Sequence, residues 1–316
     1  MTAPIKVSII IAAYEAADYI GEAIASCLAQ TEPDFEVIIV DDASAETLEP
    51  AVTTAAQQDP RIRFFRLEQN SGPSGARNKA LHEARGKFVA ILDADDTMKA
   101  DRLETMLATA ASENADIIVD NMLANHIDSD FGKIPFLSKD ACALPHEIDL
   151  AAYIDPLTTE TYGQALGYLK PLIRRGKISD TNTQYDTSLT NSEDFYFIAD
   201  LLASGAKMIL IPYVGYIYTI QAGSISHRLR PEQTAAILKA ERAFQAKHNH
   251  VDASADFKAA AKRRLAAMVK SHQFETLIDD LRRRAPFKFI QDLLRTGVNL
   301  PAHVLKLGKI AAQRLG

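Results

Sequence analysis

The chain of 316 residues is 47% hydrophobic and 24% charged, which excludes disordered and collagen-like classes and supplies a core that needs no covalent staples. Two cysteines, Cys27 and Cys142, build neither a disulfide framework nor a CxxC metal site, which fits a reducing compartment. The net charge of −6 hides an asymmetry: residues 1–226 hold 17 Lys and Arg against 33 Asp and Glu, whereas residues 227–316 hold 18 against 8. An acidic body suits a metal, and a basic tail suits a phosphate-rich partner.

Val7–Ala13 (VSIIIAA) reads as a strand buried on both faces. The run Ile5–Tyr14 behind Lys6 could pass for a signal-peptide core, but Glu15 and Asp18 follow it without a cleavage site. After Asp18, the spacing of Tyr19, Ile20, Ala23, Ile24, Cys27 and Leu28 predicts a helix with one apolar face. Phe35–Val40 is a second strand, followed by a helix around Thr47–Gln58; Arg61–Leu67 is a third, followed by a helix over Ser74–Glu83. Phe88–Leu92 is the fourth, Asp101 caps a helix to about Ser112, and Asp116–Asp120 closes the series. Residues 121–165 read as loops with one or two helices, Tyr168–Arg174 as a strand, Glu193–Ser204 as a helix and Met208–Tyr218 as a strand pair. Four helices are expected beyond that: Pro231–Lys247, Ala255–Ser271, Phe274–Arg283 and Phe287–Leu315. The expected fold is α/β, a mostly parallel sheet flanked by helices over residues 1–228, with a helical basic extension over 229–316. No apolar stretch approaches the ~18 residues needed to cross a bilayer.

Ligands of open parallel sheets bind beyond the carboxyl ends of the strands. Those ends carry Tyr14 and Glu15, then Asp41, Asp42 and Ser44, then the Gly72–Asn78 segment, then Asp93, Asp95 and Asp96. Three carboxylates in four residues repel one another, and Mg²⁺ or Mn²⁺ bridging to a diphosphate would compensate them; the alternative is a helix N-cap cluster. Gly72-Pro73-Ser74-Gly75 lacks Walker A spacing, and no GxGxxG follows the first strand, so neither motif supports a phosphate loop or a nicotinamide enzyme. Arg77, in the helix after Gly72, reaches either a phosphate or an acidic pocket residue. Glu193-Asp194 is either a helix cap or a general base with its neighbour. His227 and Arg228 are either structural or phosphate contacts.

These segments in this order resemble the family 2 (GT-A fold) inverting glycosyltransferases. The resemblance rests on SIIIAAYEAADYI, VDDAS, GPSGARNKAL, LDADD, SEDFYF and GSIS, and runs from Val7 to about Arg228. It implies a GT-A fold and a nucleotide-sugar donor, usually UDP-linked, across the strand ends. Ala12, Tyr14 and Glu15 would line the donor site, Asp41 would accept from the uracil N–H, and Arg77 would lie against the nucleotide. Asp93 and Asp95 would flank ribose and diphosphate, with Asp95 or Asp96 holding Mn²⁺ or Mg²⁺. Asp194 would be the catalytic base and Glu193 would orient the site. A single displacement would then invert the anomeric centre.

The sequence lacks the QxxRW segment of processive synthases, so transfer of one sugar is expected. Thr219 stands where related sequences often carry arginine before the GSIS loop, which leaves Arg228 as the replacement phosphate contact. In the tail, Arg282-Arg283-Arg284 precedes apolar residues alternating with Lys306, Lys309 and Arg314. Such a segment either lies on an anionic membrane surface or packs on protein. The membrane reading implies a cytoplasmic enzyme at the inner membrane face and a polyprenyl-diphosphate-linked saccharide acceptor, as in the succinoglycan-type glucosyltransferases that the chain resembles. No nucleic-acid motif is present. The competing expectations are a non-catalytic nucleotide-sugar-binding protein of the same fold and a sugar-nucleotide pyrophosphorylase, whose Gly-rich basic loop is missing from Ala12–Ala17.

Overall fold

The computed structural model describes residues 4–127, 132–139, 142–220, 229–248 and 254–282. Its first half alternates as the apolar runs require: β1 (Val7–Ala13), α1 (Ile20–Leu28), β2 (Phe35–Asp41), α2 (Glu49–Ala56), β3 (Ile62–Arg66), α3 (Gly72–Glu83) and β4 (Phe88–Ile91). There follow β5 (Thr97–Met98), α4 (Arg102–Ser112), β6 (Ile117–His126), β7 (Lys133–Pro135), β8 (His146–Glu147), α5 (Leu150–Ile154) and α6 (Thr158–Tyr162). The chain continues through β9 (Leu172–Arg174), α7 (Arg175–Thr181), α8 (Glu193–Ala203), β10 (Met208–Ile220), α9 (Pro231–His248) and α10 (Ala255–Arg282).

One sheet runs β3-β2-β1-β4-β9-β6-β10-β5, with β7 and β8 paired at its side. β1 pairs in parallel with β2 from Val7↔Phe35 to Ala13↔Asp41 and with β4 from Val7↔Phe88 to Ile10↔Ile91. β9 is antiparallel to both β4 and β6. The sheet is therefore parallel in its first half and mixed beyond. β1 and β2 are buried almost throughout, which accounts for their unbroken Ile and Val runs. Helix α1 turns Ile20, Ala23, Ile24 and Cys27 to the core, each apolar side chain worth roughly 1.5–3 kcal/mol when fully buried at the size of Ile. Burial pushes the Cys27 thiol up to about 12. At pH 8 we expect iodoacetamide to leave Cys27 intact in the native protein and to modify it in concentrated guanidinium. Native alkylation there would contradict this packing.

Several expected boundaries are corrected. Met208–Tyr218 forms no strand pair but a single strand, β10, along β6, with register shifts between Ile211 and Val214 and between Val214 and Tyr216. Pro212, lacking an N–H, falls in the first irregular stretch. Helix α3 begins at Gly72, two residues early, because proline is accommodated in a first helical turn. Ala255–Ser271 and Phe274–Arg283 are one helix, α10. β6 extends to His126, into the stretch read as loop. α10 packs along α9 and α5, so the described part of the helical extension lies against the body. The Gly-Ser loop with His227 and Arg228, and the segment beyond Arg282, lie outside the described residues. Among the described residues no helix is long and apolar enough to cross a membrane.

Candidate active site

The chain runs outward from β1 to β2 to β3, then returns to place β4 on the other side of β1. This reversal opens a crevice beyond the carboxyl ends of β1 and β4, the place where ligands of such sheets bind. β1 ends at Ala13, before Tyr14 and Glu15, and β4 ends at Ile91, just before Asp93.

Beside β4 lies a cavity of about 730 Å³ whose polar wall includes Arg77, Asp93, Asp95, Lys170, Glu193 and Asp194. Arg77 comes from α3, Asp93 and Asp95 from the turn after β4, Lys170 from just before β9, and Glu193-Asp194 from the first turn of α8. Arg77 Nη2 donates to Asp93 Oδ1 at 2.8 Å and Nη1 to Glu193 Oε1 at 2.8 Å. Nη1 also lies 3.2 Å from Asp194 Oδ1, but without a hydrogen bond, so that oxygen has no donor. Lys170 Nζ bridges Asp93 Oδ2 at 2.8 Å and Asp194 Oδ2 at 3.0 Å. The Asp194 side chain is 18% exposed at the cavity wall.

Burial would raise the Asp93 carboxyl, but Lys170 and Arg77 outweigh it and hold the group well below the usual range. Burial opposes the charge on Lys170 as well, yet Asp194 and Asp93 raise its pKa, so Lys170 stays cationic. Arg77 is raised in the same way by Asp194 and Asp93. Glu193 is raised by burial and by Asp194, against the pull of Arg77. Asp95 is raised by burial and by the charge on Asp93.

The acidic pair does not act as a cap: Ser192, the N-cap, sits at φ 66° and makes no side-chain cap bond. The Glu193 and Asp194 side chains go instead to Arg77 and Lys170. Nor do Asp93, Asp95 and Asp96 cap a helix, because β5 follows them directly. Asp96 as a metal ligand is corrected: it is fully buried, its Oδ2 accepts from Tyr216 Oη at 2.6 Å and its Oδ1 from Thr219 N at 2.7 Å. Its carboxylate ties the turn to β10 rather than facing a ligand.

Asp41 is also turned inward, which corrects its assignment to the uracil. It accepts from Ser44 N at 3.0 Å, Ser44 Oγ at 2.6 Å and Arg66 Nη1 at 2.8 Å, and it is fully buried. Asp42 beside it accepts from Ser71 N at 2.7 Å. Glu15 braces the crevice: its Oε1 accepts from Ala45 N at 2.7 Å and its own N–H donates to Ser44 Oγ at 2.9 Å. Tyr14 is exposed at the end of β1 and Ala12 is partly buried there. Arg77 takes the second of its two expected roles, contact with acidic pocket residues.

Lys170 was missed by sequence reasoning. The available signal was arithmetic: four carboxylates in one cavity cannot be balanced by Arg77 alone. Among the described residues, the three cations lining the cavity, Arg77, Lys170 and Arg264, are all ion-paired to carboxylates. Asp95 has no ion-pair partner among the described residues. The cavity wall therefore offers paired cations and one carboxylate, Asp95, outside the ion pairs. That donor set fits Mg²⁺ or Mn²⁺, which take one or two carboxylates together with substrate phosphate oxygens. The protein alone offers no group of three or more His, Cys, Asp or Glu for a metal among the described residues.

Comparison with known proteins agrees with this geometry. The model of "Glycosyl transferase family 2" matches residues 8–150. The succinoglycan biosynthesis protein ExoO of Rhizobium meliloti (strain 1021) is 34% identical over 309 residues, 98% of this chain and 86% of that protein. ExoU of the same organism, also a succinoglycan biosynthesis protein, is 31% identical over 249 residues, 77% of this chain and 70% of its own. Among solved structures, S. aureus TarS 1–349 in complex with UDP superposes with TM-score 0.63 at 21% identity, over 85% of this chain and 72% of that one. The Pyrobaculum calidifontis mannosyltransferase PcManGT, solved with GDP-Man and Mn²⁺, gives 0.60 at 17% identity over 100% and 83%. These two likenesses establish a GT-A fold. With ExoO aligned along nearly the whole chain, the chain belongs to glycosyl transferase family 2.

Proposed function

We propose that this protein moves one sugar, glucose, from a UDP-sugar to a hydroxyl of a growing polyprenyl-diphosphate-linked oligosaccharide in exopolysaccharide assembly. The observation that carries the chemistry is Asp194: a carboxylate 18% exposed at the cavity wall and fixed there by Lys170 at 3.0 Å and Arg77 at 3.2 Å. The part of ExoO and ExoU in succinoglycan biosynthesis supports the pathway, and UDP in TarS supports the nucleotide. The cationic amphipathic sequence beyond residue 282 supports a peripheral position at the cytoplasmic membrane face.

In this mechanism the acceptor O–H bond breaks as Asp194 takes the proton, and the oxygen attacks the anomeric carbon opposite the diphosphate. The bond from that carbon to the diphosphate breaks, and the configuration inverts. Lys170 and Arg77 keep Asp93 and Asp194 in register, while Glu193 anchors Arg77. Ala12, Tyr14 and Glu15 would surround the nucleotide end. Asp95 would hold Mn²⁺ or Mg²⁺, which when bound neutralises charge on the leaving diphosphate.

A panel of UDP-sugars assayed for UDP release with Mn²⁺, Mg²⁺ or EDTA tests this reading. Metal-dependent release from UDP-glucose supports it, and absence of both release and UDP binding overturns it. For Asp95→Asn we expect Mn²⁺-dependent UDP affinity to fall about tenfold or more, on the order of 1.4 kcal/mol, by calorimetric titration. An unchanged Mn²⁺ dependence would remove Asp95 from the metal site.

A further inference from the structure

Besides its charged residues, the cavity has an aromatic and apolar lining made of Tyr168, Phe195, Tyr218, Ile237 and Met268. Tyr168 is 43% exposed, and its ring lies 5.7 Å from Phe136, which meets Tyr218 edge-on at 6.1 Å. Gly167 packs closely here: a Cβ at this position would stand 3.0 Å from Phe195 Cδ2, so a larger residue would require that ring to shift by a few tenths of an ångström. Arg264 also lines the cavity, but its guanidinium stacks 3.4 Å over Phe195 and donates to Glu241 Oε2 at 2.7 Å. Among the described residues, each cation that lines the cavity is paired with a carboxylate.

We infer that this aromatic lining is the acceptor subsite, and that it binds a neutral pyranoside with the C–H face of the sugar on Tyr168. The inference rests on the glycosyl-transfer reading and deepens it. A ring seated on Tyr168 shares the cavity with Asp194, so one of its hydroxyls can meet the base. Aromatic faces carry partial negative charge and attract polarised C–H groups. Tyr168 is thus a specificity-determining residue that takes no part in donor binding.

Saturation-transfer NMR with methyl β-D-glucopyranoside and methyl β-D-galactopyranoside tests the subsite without requiring turnover. We expect transfer to the ring C–H protons in the wild type and in Tyr168→Phe. Tyr168→Ala, at an exposed position, should weaken binding by about tenfold. An undiminished signal in Tyr168→Ala, no signal from either glycoside in the wild type, or tighter binding of glucose 6-phosphate would each overturn the inference. UDP affinity and acceptor-free UDP release in the same variants report on the donor side. Loss of glycoside binding with donor turnover intact supports the subsite. Absence of donor binding and turnover in the wild type would instead sink the glycosyl-transfer reading.

Discussion

Replacing Asp194 by Asn is expected to lower sugar transfer by about 10²–10⁴-fold, the usual worth of a general base, while UDP affinity stays within about twofold of the wild type. The split follows from position. Asp194 meets Lys170 at 3.0 Å and Arg77 at 3.2 Å in the cavity beside β4, whereas the proposed nucleotide contacts Tyr14 and Glu15 follow the end of β1 and do not line that cavity. The amide keeps the size of the carboxylate and can still accept from Lys170, so the geometry survives and only the proton acceptor is lost. Parallel measurements of kcat and of UDP binding by calorimetry separate the two effects. A matching loss in both would place Asp194 in donor binding and remove it as the base.

The largest effect on stability is expected away from the chemistry, at Arg102. This fully buried side chain donates from Nε to Asp120 Oδ2 at 3.0 Å and from Nη2 to Asp120 Oδ1 at 2.8 Å. Nη2 also donates to the carbonyl of Lys170 at 2.5 Å, so the pair fixes the segment that delivers the cavity lysine. Gly215 of β10 closes the cluster: its N–H reaches Asp120 Oδ2 at 3.1 Å, and a Cβ there would stand 2.6 Å from that oxygen. Arg102→Leu leaves Asp120 charged, buried and without its cation, which costs about 3–5 kcal/mol. Adding Asp120→Leu should restore most of that loss, because an apolar pair needs no desolvation of charge. Urea midpoints of the single and double variants measure both numbers. A single-variant cost below about 1 kcal/mol would show that the buried pair does not stabilise this fold.

The first half of the fold was legible because β1, β2 and β4 are buried on both faces and spell themselves as Ile and Val runs. The carboxylates at their ends were legible as a group for the same reason, since each cluster directly follows an unbroken apolar run. What escaped was decided by tertiary contacts. Asp93, Asp95 and Asp96 are alike in sequence, yet Tyr216 and Thr219 of β10, more than 100 residues on, draw Asp96 inward and leave Asp95 at the cavity. Asp41 and Asp42 were likewise separable only once Arg66 and Ser44 were seen to occupy Asp41. Lys170 sits beside a proline in a segment without periodicity, and nothing local marks it. The halves of β10 were separated in sequence by Pro212, which the strand absorbs by shifting register.

One displacement at the anomeric carbon, with Asp194 as the base, fixes the stereochemistry of the product. The most direct measurement is the anomeric configuration of the product formed from α-linked UDP-glucose, read from the coupling of its anomeric proton by NMR. A β-linked product, absent with Asp194→Asn, is what a single attack from the Asp194 side requires. An α-linked product would need two displacements and a nucleophile on the opposite face, and would contradict the mechanism.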